Sequence, residues 1–245
     1  MNTITKAIGD TSTRRVPMSP LRKTSLLAGI LYLLTFVSIP TLALYRSVRE
    51  PNFIMSSVSN NNAIFGGLLE IIVALAGIGT AVVLYPVLKK QNEATALGLV
   101  ASRVLEAATI FTGVAFLLSV VTLHQQEAGA GALVSSHTLV ALYNRIFLLG
   151  QSFIPAINDL LLGFLLYKSR LVPRGLALIG IVGAAPLIAG YLAIMFGFIG
   201  QQSPLAGLAA LLVAVFEFSL GIYLVVKGFR PSAITSDKLQ AKDNV

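Results

Sequence analysis

Six ionisable side chains fall inside long apolar runs of this 245-residue chain: Glu70, Arg103, Glu106, Arg145, Asp159 and Glu217. A charge in hydrocarbon is costly, so each is expected to face the interior of a helix bundle, find a partner and mark a candidate site. Two of the six are cations and four are acids. One-to-one pairing therefore leaves at least two acids in need of a proton, water or an added cation. An acid in such a low-dielectric setting can exchange a proton near neutrality, which makes proton or small-solute binding, or transport, the chemistry open to this set. The blander alternative is that the charges only fix helix register.

Spacing sharpens the expectation. Arg103 and Glu106 are three apart and share one helical face. Glu106 lies about 18 Å into its run from Ala94. Glu217, counted from Leu205, reaches a similar depth, so both acids are expected to converge on Arg103. Glu70 and Arg145 both fall in the outer half and form a candidate second pair, while Asp159, beside Asn158, falls in the inner half. The run from Leu139 to Tyr167 holds 29 residues. That is about 43 Å of helix, too long for a straight crossing of a core roughly 30 Å thick. Pro155 removes a backbone donor in mid-run, so a kink lined by Gln151, Asn158 and Asp159 is expected there.

Other chemistry is thin. The chain has no cysteine, which excludes disulfides, thiolate metal sites and cysteine nucleophiles. His124 and His137 lack a carboxylate at metal spacing and are expected to be solvated loop residues. Ser135-Ser136-His137 places hydroxyls beside an imidazole in sequence, which is not the geometry of a nucleophile and its base. Gly129-Ala130-Gly131 lacks the third glycine and the preceding strand of a dinucleotide turn. No catalytic residue, cofactor or metal is expected, and a lipid-active intramembrane enzyme is the least supported function.

The elements that must position these residues are legible from composition. The chain is 56% hydrophobic and 11% charged, against about 25% charged in soluble domains. Six apolar runs, 24–45, 64–88, 94–123, 139–167, 175–199 and 205–226, are each long enough to cross a bilayer. Their continuous apolarity is unlike the alternation of barrel strands, so the expected fold is all-α: a polytopic membrane bundle of six transmembrane helices. The first run is long for a signal peptide and is expected to be a retained span. Residues 1–23 are expected to be a disordered basic tail and residues 230–245 a second tail.

Fourteen Lys and Arg residues lie in the tails and the second and fourth connections, against only Arg46 and Arg49 in the other three connections. That bias predicts both termini in the cytoplasm. Basic residues flanking apolar runs point to anionic lipid headgroups as partner and away from nucleic acid. In the fifth run Ala185, Ala189, Ala193 and Gly197 form a smooth stripe, expected to pack within the bundle or to serve as a homo-oligomer seam.

Several blocks carry a family likeness: Ala28-Gly29-Ile30-Leu31-Tyr32-Leu33-Leu34, then Arg103 following Ala96-Leu97-Gly98-Leu99-Val100-Ala101-Ser102. The most specific are Leu162-Gly163-Phe164-Leu165-Leu166-Tyr167-Lys168-Ser169 and Val172-Pro173-Arg174-Gly175-Leu176-Ala177. On these residues the chain resembles the bacterial six-helix integral membrane family termed domain of unknown function 4386, from about Arg22 to Phe229. It departs at Pro186, preceded by Ala184 and Ala185, where similar proteins have Gly and apolar residues. The resemblance implies a six-helix inner-membrane fold and no particular reaction, substrate or cofactor.

Overall fold

A computed structural model describes residues 18–240; the N-terminal tail expected over residues 1–23 lies mostly outside them. The described residues form nine α-helices: α1 (Pro20–Leu34), α2 (Thr41–Leu44), α3 (Asn61–Leu88), α4 (Glu93–Gln125), α5 (Leu133–Leu148), α6 (Ile154–Ser169), α7 (Arg174–Met195), α8 (Pro204–Val226) and α9 (Ala233–Gln240). They make six helical stretches long and apolar enough to cross a membrane: Pro20–Leu44, Asn61–Leu88, Glu93–Gln125, Ala130–Ser169, Arg174–Met195 and Pro204–Val226. Helix is the natural solution, because a backbone in lipid must satisfy its own donors and acceptors. The tail expected from residue 230 is partly helical, since α9 lies within it.

Local chemistry sets the ends. Ser19 caps α1 by accepting from the Arg22 backbone N–H at 3.3 Å, with Pro20 in the first turn; Asn92 caps α4 through Thr95 at 2.9 Å, and Ser203 with Pro204 starts α8. Each cap satisfies a donor that the helix itself leaves open.

Two spans are broken, the first where an uninterrupted helix was expected and the fourth beside the expected kink. In the first, α1 gives way to a 3-10 turn, Thr35–Ser38, and then to α2 after Pro40. The hydroxyls of Thr35, Ser38 and Thr41 each donate to the carbonyl three residues back, at 2.7, 3.1 and 2.7 Å. Such back-bonding competes with the helical ladder and bends it. In the fourth span a π-helical turn, Leu149–Phe153, precedes Pro155; the widened turn accommodates the proline ring and its missing donor. Pro186, by contrast, is carried inside an uninterrupted α7.

The spans close into a ring in chain order: α1 packs on α3, α3 on α4, α4 on α5 and α6, α6 on α7, α7 on α8, and α8 returns to α1. The closing seam is a backbone approach, for a Cβ added at Gly29 would lie 2.7 Å from the Gly221 carbonyl oxygen. Six crossings also bring the start of α1 and the end of α8 to one end of the bundle. Between α7 and α8 the close contact runs through Gly180, Gly183 and Gly190. The expected small-residue stripe does not make it: Ala185 and Ala189 are exposed on α7, Ala193 is half-buried, and Gly197 is exposed in the turn after the helix ends at Met195. The glycines, lacking even a methyl group, permit the nearer approach and so set which face turns inward.

Large apolar side chains including Phe65, Leu75, Leu97, Leu105, Val182 and Leu208 are exposed around the ring. In water such a belt would be an aggregation surface; facing lipid tails it needs no cover.

Candidate functional site

The ring holds its charge at mid-height. Arg103, Asp159 and Glu217 lie ten, ten and nine residues from Glu93, Ser169 and Val226, helix ends on the same side of the bundle. At the helical rise this is about 14–15 Å, half of a core roughly 30 Å thick. Arg103 Nη1 donates to Glu106 Oε2 at 3.0 Å, and Nη2 donates to Glu217 Oε1 across the bundle. Asn158 Nδ2 donates to the same Glu106 oxygen at 2.8 Å. The guanidinium also lies 5.7 Å from the centre of the Tyr32 ring. Four spans therefore meet at one cation, and both acids expected to reach Arg103 do so.

Around this core several buried polar atoms have no partner among the described residues: both carboxylate oxygens of Asp159, Asn158 Oδ1, Tyr32 OH and Arg103 Nε. Asp159 is fully buried. An ionised carboxylate in that position without a donor would cost several kcal/mol, so it calls for a proton, water or a cation. The set carries three acids to one base, with Arg103 already shared between two of them.

A cavity of about 220 Å³ opens beside these residues. Arg103, Glu106 and Glu217 form its charged wall, Thr35 and Ser38 from the 3-10 turn face them, and Gln151 and Pro155 come from the broken fourth span. The two helix breaks thus line one space, as irregular backbone at membrane depth generally does. Gly150 lets the π-turn approach α4: a Cβ there would fall 1.9 Å from Thr109 Oγ1, one turn from Glu106.

Glu70 is held differently from expectation. It is buried and accepts from Tyr45 OH at 3.2 Å, from Tyr143 OH at 3.1 Å and from Gln151 Nε2 at 3.5 Å. Tyr45 and Tyr143 pack edge to face, 5.6 Å between centroids, and the Arg49 guanidinium lies 4.9 Å over Tyr143. Gln151 belongs to both places, lining the cavity while reaching Glu70. Arg145 does not pair with Glu70; it is exposed on α5. It lies 24 residues from Ser169. That is about 36 Å along the helical path, beyond a core of about 30 Å, because the fourth span continues outward where a shorter helix was expected.

The histidines are also placed by contacts. His124 bonds Asn60 Oδ1 at 2.9 Å and the Ser56 carbonyl at 2.7 Å, and His137 reaches the Pro51 carbonyl at 2.8 Å. Both clamp the segment 45–60, whose Val48, Phe53 and Ile54 are buried over the ends of α4 and α5. His124 is therefore a half-buried clamp and not a solvated loop residue.

The model of the family described as domain of unknown function 4386 matches residues 27–228. The chain belongs to that family. No curated protein and no solved structure matches it. The matched stretch of this domain of unknown function 4386 member includes every residue of the Arg103 and Glu70 clusters. Sequence reasoning did not reach three members of those clusters: Tyr32, Tyr45 and Tyr143. Tyr45, the last residue of the first apolar run, is buried against Glu70. A signal for the other two existed, since Tyr32 and Tyr143 interrupt apolar runs where a buried hydroxyl needs a partner.

Proposed function

We propose that this multi-pass membrane protein is a bacterial inner-membrane protein, with both termini cytoplasmic, that binds a proton or small cationic solute in its central cavity. The observation that carries the reading is the Arg103–Glu106–Glu217 wall on a cavity at mid-membrane, with the Asp159 carboxylate, unpartnered among the described residues, in the same cluster. Three acids around one arginine leave room for positive charge. The donors are oxygens only, a chemistry suited to protons and hard cations and not to soft metals. The excess of Lys and Arg at the end of the bundle that carries both chain ends supports the orientation. Two broken spans facing one cavity at mid-membrane is also the arrangement from which transport sites are built.

A second reading has its own support: Arg103 bridges two carboxylates on different helices, as a register-fixing device would. One experiment separates them. The protein is purified in detergent and its melting temperature is followed against monovalent cations, amines, neutral metabolites and pH. A ligand at 100 times its dissociation constant stabilises by about 2.7 kcal/mol. A shift lost in Asp159→Asn and Glu217→Gln supports binding; a flat panel with a strongly destabilised Arg103→Ala supports register alone.

A further inference from the structure

At the end of the bundle where α1 begins and α8 ends lies a second, larger space of about 790 Å³, away from the central cavity. Four cations line it: Arg22, Lys90, Lys227 and Arg230. Among the described residues no acid lines it and none of the four forms an ion pair. Their hydrogen bonds go to neutral groups. Arg22 donates to the Leu224 and Val225 carbonyls, Lys90 to the Ile234 carbonyl at 3.2 Å, and Arg230 Nε to Tyr223 OH at 3.2 Å. Those bonds hold the side chains in place without neutralising them. Lys227 makes no side-chain hydrogen bond among the described residues and is exposed.

The rest of the lining includes the apolar side chains of Leu21, Pro86, Val87 and Phe229, with Ile234 contributed by α9. The groove stands where α1, α3 and α8 all end, so it occupies the boundary between hydrocarbon and water whichever way the protein faces. A site that offers four positive charges, unpaired among the described residues, beside apolar side chains at headgroup depth matches a molecule with an anionic phosphate at one end and an acyl chain at the other. From these observations we infer that the groove between α1, α3, α8 and α9 is a binding site for an anionic phospholipid. The phosphate lies among Arg22, Lys90, Lys227 and Arg230, and the upper acyl chain lies along Leu21, Val87 and Phe229. The cations are more than a general basic collar, because they converge on one concave surface closed by a short helix.

The test uses the full chain in a neutral detergent, with native mass spectrometry and melting temperature read against three probes: phosphatidylglycerol, phosphatidylcholine of the same chains, and inorganic phosphate. Phosphatidylglycerol is expected to remain bound and to raise the melting temperature, weakening with added salt, while the other two do neither at the same concentration. Lys227→Glu is expected to reduce phosphatidylglycerol affinity by more than about tenfold without changing the melting temperature in the absence of lipid. Lys168→Gln with Arg174→Gln, cations outside the groove, leaves the affinity within about twofold. Equal binding of phosphatidylcholine overturns the site, as does an equal effect of inorganic phosphate. So does an equal loss in the Lys168/Arg174 variant, which would make the attraction diffuse. Glu217→Gln leaves lipid binding intact, so this result stands or falls apart from the central cavity.

Discussion

Arg103 is the residue on which most of the buried polar chemistry depends. Arg103→Met strands Glu106 and Glu217 with no cation between them, and breaking a buried pair in this way costs about 3–5 kcal/mol. Its melting temperature is expected to fall sharply, and adding Glu106→Leu and Glu217→Leu is expected to recover much of the loss. Asp159→Asn behaves oppositely. The amide replaces a carboxylate that no donor among the described residues satisfies, so thermal unfolding of the unliganded protein is expected to be unchanged or later. At the outer cluster, Tyr143→Phe removes one of three donors to Glu70 and should cost about 1–3 kcal/mol. Arg145→Gln, at an exposed position, should stay within about 0.5 kcal/mol. Equal effects of these last two substitutions, in denaturation of the purified protein, would restore the Glu70–Arg145 pairing read from sequence. The contrast shows what was legible. Arg103 with Glu106 could be read from a spacing of three, because local geometry fixes it. Glu70 with two tyrosines could not, because that contact depends on how far α5 continues beyond the membrane core and how segment 45–60 folds back.

Among the elements, the fourth span is the most distinctive. Its length and Pro155 announced a break, and the polar residues expected near it, Gln151 and Asn158, do face the cavity and the Arg103 cluster. The form of the break was not readable: a π-turn, with Gly150 pressed on Thr109, is a solution found by packing. Gly150→Ala places a methyl group where Thr109 already is and is expected to destabilise by about 1–3 kcal/mol through overpacking, measured as a lower melting temperature. Gly175→Ala, which meets nothing within 4 Å, serves as the tolerant comparison. The break in the first span was missed because Thr35, Ser38 and Thr41 are individually compatible with a membrane helix; only their successive back-bonding, with Pro40, bends it.

For the whole molecule, six crossings were evident from six apolar runs, since length and composition alone decide whether a helix can span. Ring order and the closing contact of α1 with α8 were not, because apolar periodicity is faint when most faces meet either lipid or another helix. The orientation can be measured directly, helped by the absence of cysteine. Ser59→Cys is expected to react with a membrane-impermeant maleimide in intact cells freed of their outer barrier. Ser236→Cys is expected to react only after the membrane is opened. The reverse pattern would invert the protein and overturn the assignment of its basic end to the cytoplasm.

The contact between the first span and the last bears on how the protein is made. Arg103 enters the bilayer on the same helix as Glu106, three residues away, so the insertion machinery receives a nearly neutral pair and not a bare cation. Glu217 arrives only with α8, and until then the ring stands open between α1 and α7 with one side of the arginine unsatisfied. The charged centre is therefore complete only once α8 closes the ring, and a chain that stops short of α8 leaves Arg103 with Glu106 as its one carboxylate partner of the two.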